Sequence, residues 1–400
     1  MFVTLCSLLL AGAPQDPPKV EKRLVGYYTE WSIYQRKYNV ADIPADKLTH
    51  VNYAFAKIVN GKCALHDAYA AVEKAEPGEQ WVEGALRGNC RALQALKKKH
   101  SHLKTLISVG GWTLSSPFSD VAFTKESREN FAQSCVAFMV KYGFDGVDLD
   151  WEYPVGGGLE SNKTRAADKE NYTLLLAELR RQLDAQGAKD KTRYLLTIAA
   201  PAGPKTFANL ELDKIHPQLD WLNLMAYDFH GPWSPLTHFN APLFAVAKDP
   251  TSDETIRKHF NVDSAVKAFL RAGVPPDKIV VGLPFYGRGW ASVKDVKGGL
   301  FQPHGPNPPQ GTWEAGVFDY KDLAKNYVGK FQRHWHDEAK VPWLFDAKRG
   351  VMISYDDPES LRLKAEYVNQ HKLGGMMCWE LSADDERNTL VNTLFEVLRK

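Results

Sequence analysis

Apolar and polar positions along this chain follow two alternating rhythms. Short runs rich in β-branched and aromatic residues occur at 24–29, 50–56, 104–111, 146–152, 194–200, 221–228, 279–287 and 374–381. Runs of this length and content predict strands buried on both faces. Longer stretches with helical apolar spacing lie between them, including 127–142, 168–186 and 263–272. Strands that alternate with helices imply βαβ units and a parallel sheet. Eight such units predict an α/β fold, the closed (β/α)8 TIM barrel, and a barrel accommodates 400 residues without two equal domains.

The rhythm breaks once. The interval between strands seven and eight, residues 288–353, holds a Pro/Gly-rich run at 302–311 and then apolar runs at 317–326 and 341–345. A bare loop of that length is uncommon in a compact chain, so the interval predicts a small α+β insertion beside the barrel mouth. The barrel itself then occupies 20–287 and 354–400. Without a Ser/Thr/Pro linker, repeat or low-complexity tail, no separate carbohydrate-binding module is expected. Residues 1–13 are apolar through Leu8, Leu9 and Leu10 and end in Ala11-Gly12-Ala13. They resemble a secretory signal, although a basic start is missing, and they are too short to span a bilayer. The expectation is a secreted, monomeric protein with no membrane helix. Removal of that segment takes Cys6 with it and leaves Cys63, Cys90, Cys135 and Cys378. Cys63 and Cys90 are a candidate disulfide in an oxidising compartment, but the spacings specify no connectivity. Asn162-Lys-Thr and Asn171-Tyr-Thr fit the glycosylation pattern.

Composition narrows the partner. Hydrophobic content of 44% and charged content of 24% are those of an ordinary soluble protein. Fifty basic residues against 48 acidic ones leave no excess of positive charge for nucleic acid. A neutral polymer is the better match. The 11 Trp residues, many near Gly or polar neighbours, suit either a large core or a cleft of flat rings for sugar faces.

Chemistry concentrates in Asp145-Gly-Val-Asp-Leu-Asp-Trp-Glu152. Side chains at i, i+2 and i+4 of a strand share a face, so Asp148, Asp150 and Glu152 project together while Val147, Leu149 and Trp151 face the helices. Three neighbouring acids cannot all ionise, and at least one carboxyl must hold its proton above the usual pH range. A structural cluster would need basic partners, which the segment lacks. Oxygen ligands suit Mg²⁺ or Ca²⁺, but Trp151 and Tyr153 beside them suggest a sugar platform more than a hydrated ion cage. An acid/base site at the C-terminal end of a barrel strand fits the pattern best.

At this point the residues resemble glycoside hydrolase family 18, the chitinases and their relatives. The Asp-Gly-x-Asp-x-Asp-x-Glu signature is complete at 145–152. Ser108-Val-Gly-Gly111 with Trp112, Met225-Ala-Tyr-Asp228, Tyr286-Gly-Arg288 and Trp379 are similar to the family's motifs on strands three, six, seven and eight. The resemblance implies a chitinase that needs no metal or cofactor. In it Glu152 protonates the glycosidic oxygen, and the substrate's own 2-acetamido carbonyl is the nucleophile, giving an oxazolinium ion and overall retention. Asp150 would orient the acetamido group and share a proton with Asp148. Tyr227 would bind its oxygen, Met225 would pack beneath its methyl, and Asp228 would contact the distorted sugar.

Several assignments stay open at the level of sequence. Trp112, Trp379, Trp31 and Trp233 either stack on sugar rings or fill core and rim. Tyr27 and Phe55 either shape a subsite or plug the barrel. Arg288, with Tyr286 beside it, either contacts substrate or pairs with Asp228. His334-Trp-His336-Asp337 invites a metal reading; on a helix i and i+2 do not share a face, so a solvated face of the insertion is expected instead. Lys97-Lys-Lys99 reads as the exposed end of a helix. Three other functions compete. A chitinase-like lectin would typically lack Glu152 or one of the acids, an N-glycan-cleaving endo-β-N-acetylglucosaminidase would use the same machinery, and a phosphate-handling barrel would need a Gly-rich loop that is missing.

Overall fold

The computed structural model describes residues 22–75, 82 and 84–399. The apolar segment 1–13 read as a secretory signal lies outside them. Eight parallel strands close into a barrel: β1 (Arg23–Thr29), β2 (His50–Val59), β4 (Lys104–Gly110), β5 (Gly146–Asp150), β6 (Leu195–Pro201), β7 (Trp221–Met225), β8 (Ile279–Pro284) and β14 (Gly375–Trp379). Pairing of β1 with both β2 and β14 completes the circle, and β3 (Lys62–Leu65) turns back antiparallel on β2. Closure leaves no barrel strand with an unpaired edge.

Two apolar layers follow from the period of two along each strand. Val147 and Leu149 of β5, Leu196 and Ile198 of β6, and Leu222 and Leu224 of β7 point outward into the layer under the helices. Val25, Tyr27, Leu106, Trp221, Val280 and Met377 point inward and plug the barrel. Helices α1 (Gly88–Lys99), α2 (Phe118–Phe123), α3 (Lys125–Tyr142) and α4 (Asp168–Asp190) cover the first half of the barrel. The three lysines of Lys97–Lys99 occupy the last turn of α1, where positive charge opposes the helix dipole. The α3 boundaries follow from local chemistry. Thr124 Oγ1 accepts from the Ser127 N–H at 3.0 Å, and Gly143 takes a left-handed φ of 75° just past the last turn.

The insertion is a five-stranded antiparallel sheet ordered β10 (Val317–Asp319), β9 (Tyr286–Trp290), β13 (Val351–Ser354), β12 (Val341–Asp346) and β11 (Gln332–His336). Its core is Trp290, Trp343, Phe345 and Met352 with Phe239 of the barrel's sixth loop. Two expectations change here. The apolar run 279–287 is two strands in two different sheets, so Tyr286 and Arg288 belong to the insertion rather than to barrel strand seven. Hydropathy cannot register a change of partner within one run. His334 and His336 lie on a strand, not a helix, and so share a face. The His334 ring stacks on Trp343 (4.9 Å between centroids) and His336 meets Phe239 edge-on (5.3 Å), so this face is packed, not solvated.

The cysteines and sequons also resolve. The described cysteines are free thiols, so Cys63 and Cys90 are not bonded. Cys63 instead lies against Cys135 of α3, and its N–H donates to Ser134 Oγ at 2.8 Å. Asn171 is buried within α4, while the Asn162 amide donates to the Glu152 carbonyl. Among the described residues, no helix is long and apolar enough to cross a membrane.

A fully buried ion pair ties the helix Pro358–Gln370 to the segment that enters it after β13: Lys364 Nζ lies 2.6 Å from Asp356 Oδ1, with Ser360 Oγ donating at 2.7 Å. Removing one partner strands the other charge in a low dielectric. Lys364→Met is therefore expected to lower the unfolding free energy by ~3–5 kcal/mol, read from urea denaturation.

Candidate active site

The inner face of the barrel carries a polar layer among its apolar plugs. Asp148 is fully buried and accepts hydrogen bonds from Tyr27 Oη (2.7 Å), Ser108 Oγ (2.8 Å), Thr197 Oγ1 (2.5 Å) and Asn223 Nδ2 (3.3 Å). Each donor stands on a different strand. Burial pushes the Asp148 carboxyl up, and these hydrogen bonds pull back toward the ionised form. Asp150, one rung higher, has no such support. Its Oδ1 is buried without a partner, and burial, followed by the charges of Glu152 and Asp148, drives its carboxyl well above the usual range. Burial raises Glu152 to about 7, opposed by a hydrogen bond with Tyr153 and reinforced by the charge of Asp228.

β5 ends at Asp150, two residues short of the expected boundary, so Glu152 stands just beyond the sheet at the barrel mouth. The end of β4 must come close to the main chain there, and that approach requires glycine. Gly110 has φ of 111°, and a Cβ on it would sit 2.2 Å from the Asp150 carbonyl oxygen. The peptide bonds Ala54–Phe55, Glu152–Tyr153 and Trp379–Glu380 at this rim are cis.

Around the acids lies an aromatic cleft. Trp379 stacks on Phe55 at 5.7 Å and 22°, with Tyr27 at 5.4 Å and Trp31 next to Phe55 at 6.2 Å. Met225 and Tyr227 pack against the same inner cluster, and Tyr227 meets Tyr286 edge-on at 6.4 Å. Trp112 is 45% exposed and borders Tyr153, and Trp233 is 60% exposed. Trp151 faces the helices as the strand alternation implies, and so is core rather than part of a sugar platform: it stacks on Phe118 at 5.3 Å and meets Tyr172 at 5.2 Å. Of the two aromatics flanking Glu152, only Tyr153 faces the cleft.

The alternatives for Arg288 resolve in favour of pairing. Its Nε and a terminal nitrogen hold both oxygens of Asp228 at 2.7 and 2.8 Å, in the fork geometry that favours arginine over lysine. The same guanidinium lies 5.0 Å from the Trp233 ring and 5.2 Å from Tyr286, so one side chain unites the sixth barrel loop, the insertion and an exposed ring.

The structure thus brings the residues singled out as catalytic or substrate-binding together around the acid ladder and the barrel mouth. Sequence reasoning missed Thr197 and Asn223. Their signal was available, since each is a lone polar residue at an inward position of an apolar strand. It also missed Arg36, which bridges Asp319 of the insertion (2.9 Å) and Glu380 beside Trp379 (3.3 Å) and lies 5.0 Å from the Trp313 ring. No local pattern marks that contact.

Known proteins share both sequence and geometry with this chain. It is 45% identical over 405 residues to chitinase A1 of Niallia circulans, covering 93% of this chain and 58% of that relative, so it spans little more than half of that protein. It is 39% identical over 363 residues to endochitinase 1 of Metarhizium robertsii, covering 90% and 80% of the two chains. The structure of chitinase ChiA74 from Bacillus thuringiensis superposes with a TM-score of 0.90 at 41% identity, covering 95% of this chain and 70% of that one. The sequence model described as Glycosyl hydrolases family 18 matches residues 23–384, and with a closed eight-stranded barrel bearing its acids at one mouth, the chain belongs to that family.

Proposed function

We propose that this protein hydrolyses the β-1,4 links of chitin and chito-oligosaccharides, with Glu152 as general acid and the substrate's 2-acetamido carbonyl as nucleophile. One observation carries the reading. A carboxyl that holds its proton to about 7 stands at the cleft beside a second, deeper carboxyl with an unpartnered buried oxygen. The first suits proton donation to a leaving oxygen near neutral pH. The second suits the N–H of an acetamido group.

Among the described residues, the two carboxyl groups nearest Glu152 are not ready nucleophiles. Burial, then the charges of Glu152 and Asp148, push the Asp150 carboxyl well above the usual range, which disfavours the anion that a nucleophile needs. Asp228 is bound through both oxygens to Arg288. A nucleophile carried by the substrate removes the need for either. In this reading the proton on Asp150 moves toward Asp148 as the sugar binds, which frees Asp150 to accept the acetamido N–H and turn the carbonyl toward the anomeric carbon. The Tyr227 hydroxyl donates to the carbonyl oxygen, and Met225 lies under the methyl. Glu152 gives its proton to the departing oxygen, then takes one from the water that opens the oxazolinium ion, so configuration is retained.

The aromatic floor supports a polymer as substrate. Trp379, Phe55 and Trp31 form one row, and the exposed Trp112 and Trp233 offer flat faces on the rim. Formal net charge of +2 on 400 residues matches a neutral polysaccharide. An exported monomer is the form that suits such a substrate.

Glu152→Gln is expected to lower kcat on chito-oligosaccharides by about 10²–10⁴-fold while calorimetry still detects oligosaccharide binding. The first product of the unmodified enzyme should be the β-anomer by NMR, and an α-anomer would exclude substrate assistance. Oligomers with free amines in place of acetamides should not be cleaved. No turnover by the unmodified protein, with binding intact, would make it a lectin.

The pH dependence follows from the acid that must stay protonated. Because Glu152 is raised to about 7, kcat/KM should fall about tenfold per pH unit above that value and level off below it. A profile of initial rates from pH 5 to 9 tests this; an alkaline limb centred near the ordinary glutamate range would remove Glu152 from the role.

A further inference from the structure

The side chain expected to donate the proton hangs from main chain that no sheet supports. The β4–β5 ladder ends at the pair Gly110–Asp150, and the β5–β6 ladder at Leu149–Ile198. The peptide groups of Trp151 and Glu152 therefore lie past the last sheet pairing.

Two loops supply what the sheet does not. On one side, Ser115 is fully buried and its Oγ accepts from the Glu152 N–H at 2.9 Å. The same hydroxyl has the Gly111 carbonyl at 2.8 Å and the Asp150 carbonyl at 3.2 Å as acceptors for its proton. The Gly111 N–H donates to Asp150 O at 2.7 Å. On the other side, Asn162 Nδ2 donates to the Glu152 carbonyl at 3.0 Å. Gly158 lies so close that a Cβ there would stand 2.0 Å from the same carbonyl oxygen. Both polar groups of the Glu152 main chain are thus held by side chains outside its own strand.

The two loops are also tied to each other independently of Glu152. The Lys163 N–H donates to Ser116 Oγ at 3.3 Å, and Arg165 reaches Ser119 Oγ and Asp120 Oδ1, each at 2.6 Å. Ser119 Oγ in turn donates to Asp168 Oδ1 at 2.7 Å, at the start of α4. A grip whose jaws are joined resists displacement better than two separate contacts.

We propose that Ser115 and Asn162 are positioning residues for the proton donor: together they clamp the N–H and C=O of Glu152 and so aim its carboxyl at the bond to be cut. This rests on Glu152 being the general acid. Neither side chain need touch the sugar. Their contribution is geometric, and a misplacement of about 1 Å in a reacting group costs on the order of 100-fold in rate.

The test uses the full chain and four variants: Ser115→Ala, Asn162→Ala, Asn162→Asp and Glu152→Gln. Asn162→Asp keeps the shape and replaces the donor with an acceptor, so carboxylate faces carbonyl. Steady-state kinetics on a defined chito-oligosaccharide should give kcat lowered about 10–100-fold in all three clamp variants, with KM within about threefold of the unmodified enzyme. The Asn162→Asp loss should equal or exceed that of Asn162→Ala. The alkaline limb of the kcat profile should move with the loss, because the carboxyl leaves its environment. Asn162 is only half buried, so its variants carry the test should Ser115→Ala not fold. Unchanged kcat in the Asn162 variants, with only a lower melting temperature, would overturn the clamp. Glu152→Gln separates the two ideas. If it is inactive beside fully active clamp variants, only the clamp is wrong, and if it is active, the acid assignment falls and the clamp with it.

Discussion

The cost of burying charge governs this site. Three carboxyl groups rise along one line out of a closed barrel, and water cannot reach the lower ones to solvate them. The barrel answers at the bottom by surrounding Asp148 with four donors from four strands. It gives no such answer at Asp150, whose Oδ1 is buried without a partner. At Glu152 the same desolvation holds a proton in place on a group that also reaches the cleft. One gradient of solvation along β5 and the two residues past it thus separates an anchored acid, an acid with an unpartnered oxygen and, at the mouth, the acid proposed as proton donor.

The gradient works only if the mouth is rigid. Rigidity comes from outside the barrel sheet, because β5 stops before Glu152. Gly110 at the end of β4 lets backbone approach backbone, and Ser115 and Asn162 take over from the ladder. On the far wall the insertion is fastened by arginines. Arg288 holds Asp228 under the Trp233 ring, and Arg36 reaches from the first barrel loop to both Asp319 and Glu380. Planar guanidinium groups suit such places because they form directed hydrogen bonds along the edge and stack by the face. The insertion is therefore part of the cleft, not an appendage.

The barrel and the acid ladder were legible in the residues because each depends on short-range periodicity. Alternation along a strand decides which side chains share a face, whatever the strand later pairs with. Asp148, Asp150 and Glu152 could be placed together without knowing their neighbours. Strand boundaries were less legible: the runs 146–152 and 221–228 stay apolar or aromatic past the point where pairing ends, since a barrel mouth is also buried. The split of 279–287 between two sheets has the same cause.

Tertiary structure alone decided the rest, because it depends on which distant segments meet. Cys63 proved to lie as a free thiol beside Cys135 rather than bonded to Cys90, and His334 and His336 proved to line a packed strand. Arg288 proved to be the partner of Asp228. The donors to Asp148 and the grip on Glu152 join residues separated by ten to more than a hundred positions, and no period in the sequence records a contact of that kind. The sequence by itself determined the line of acids and the strand that bears them, through the local geometry of the backbone. Which acid holds a proton, and how firmly its carboxyl is aimed, were decided by solvent exclusion and hydrogen bonds that exist only once the barrel has closed.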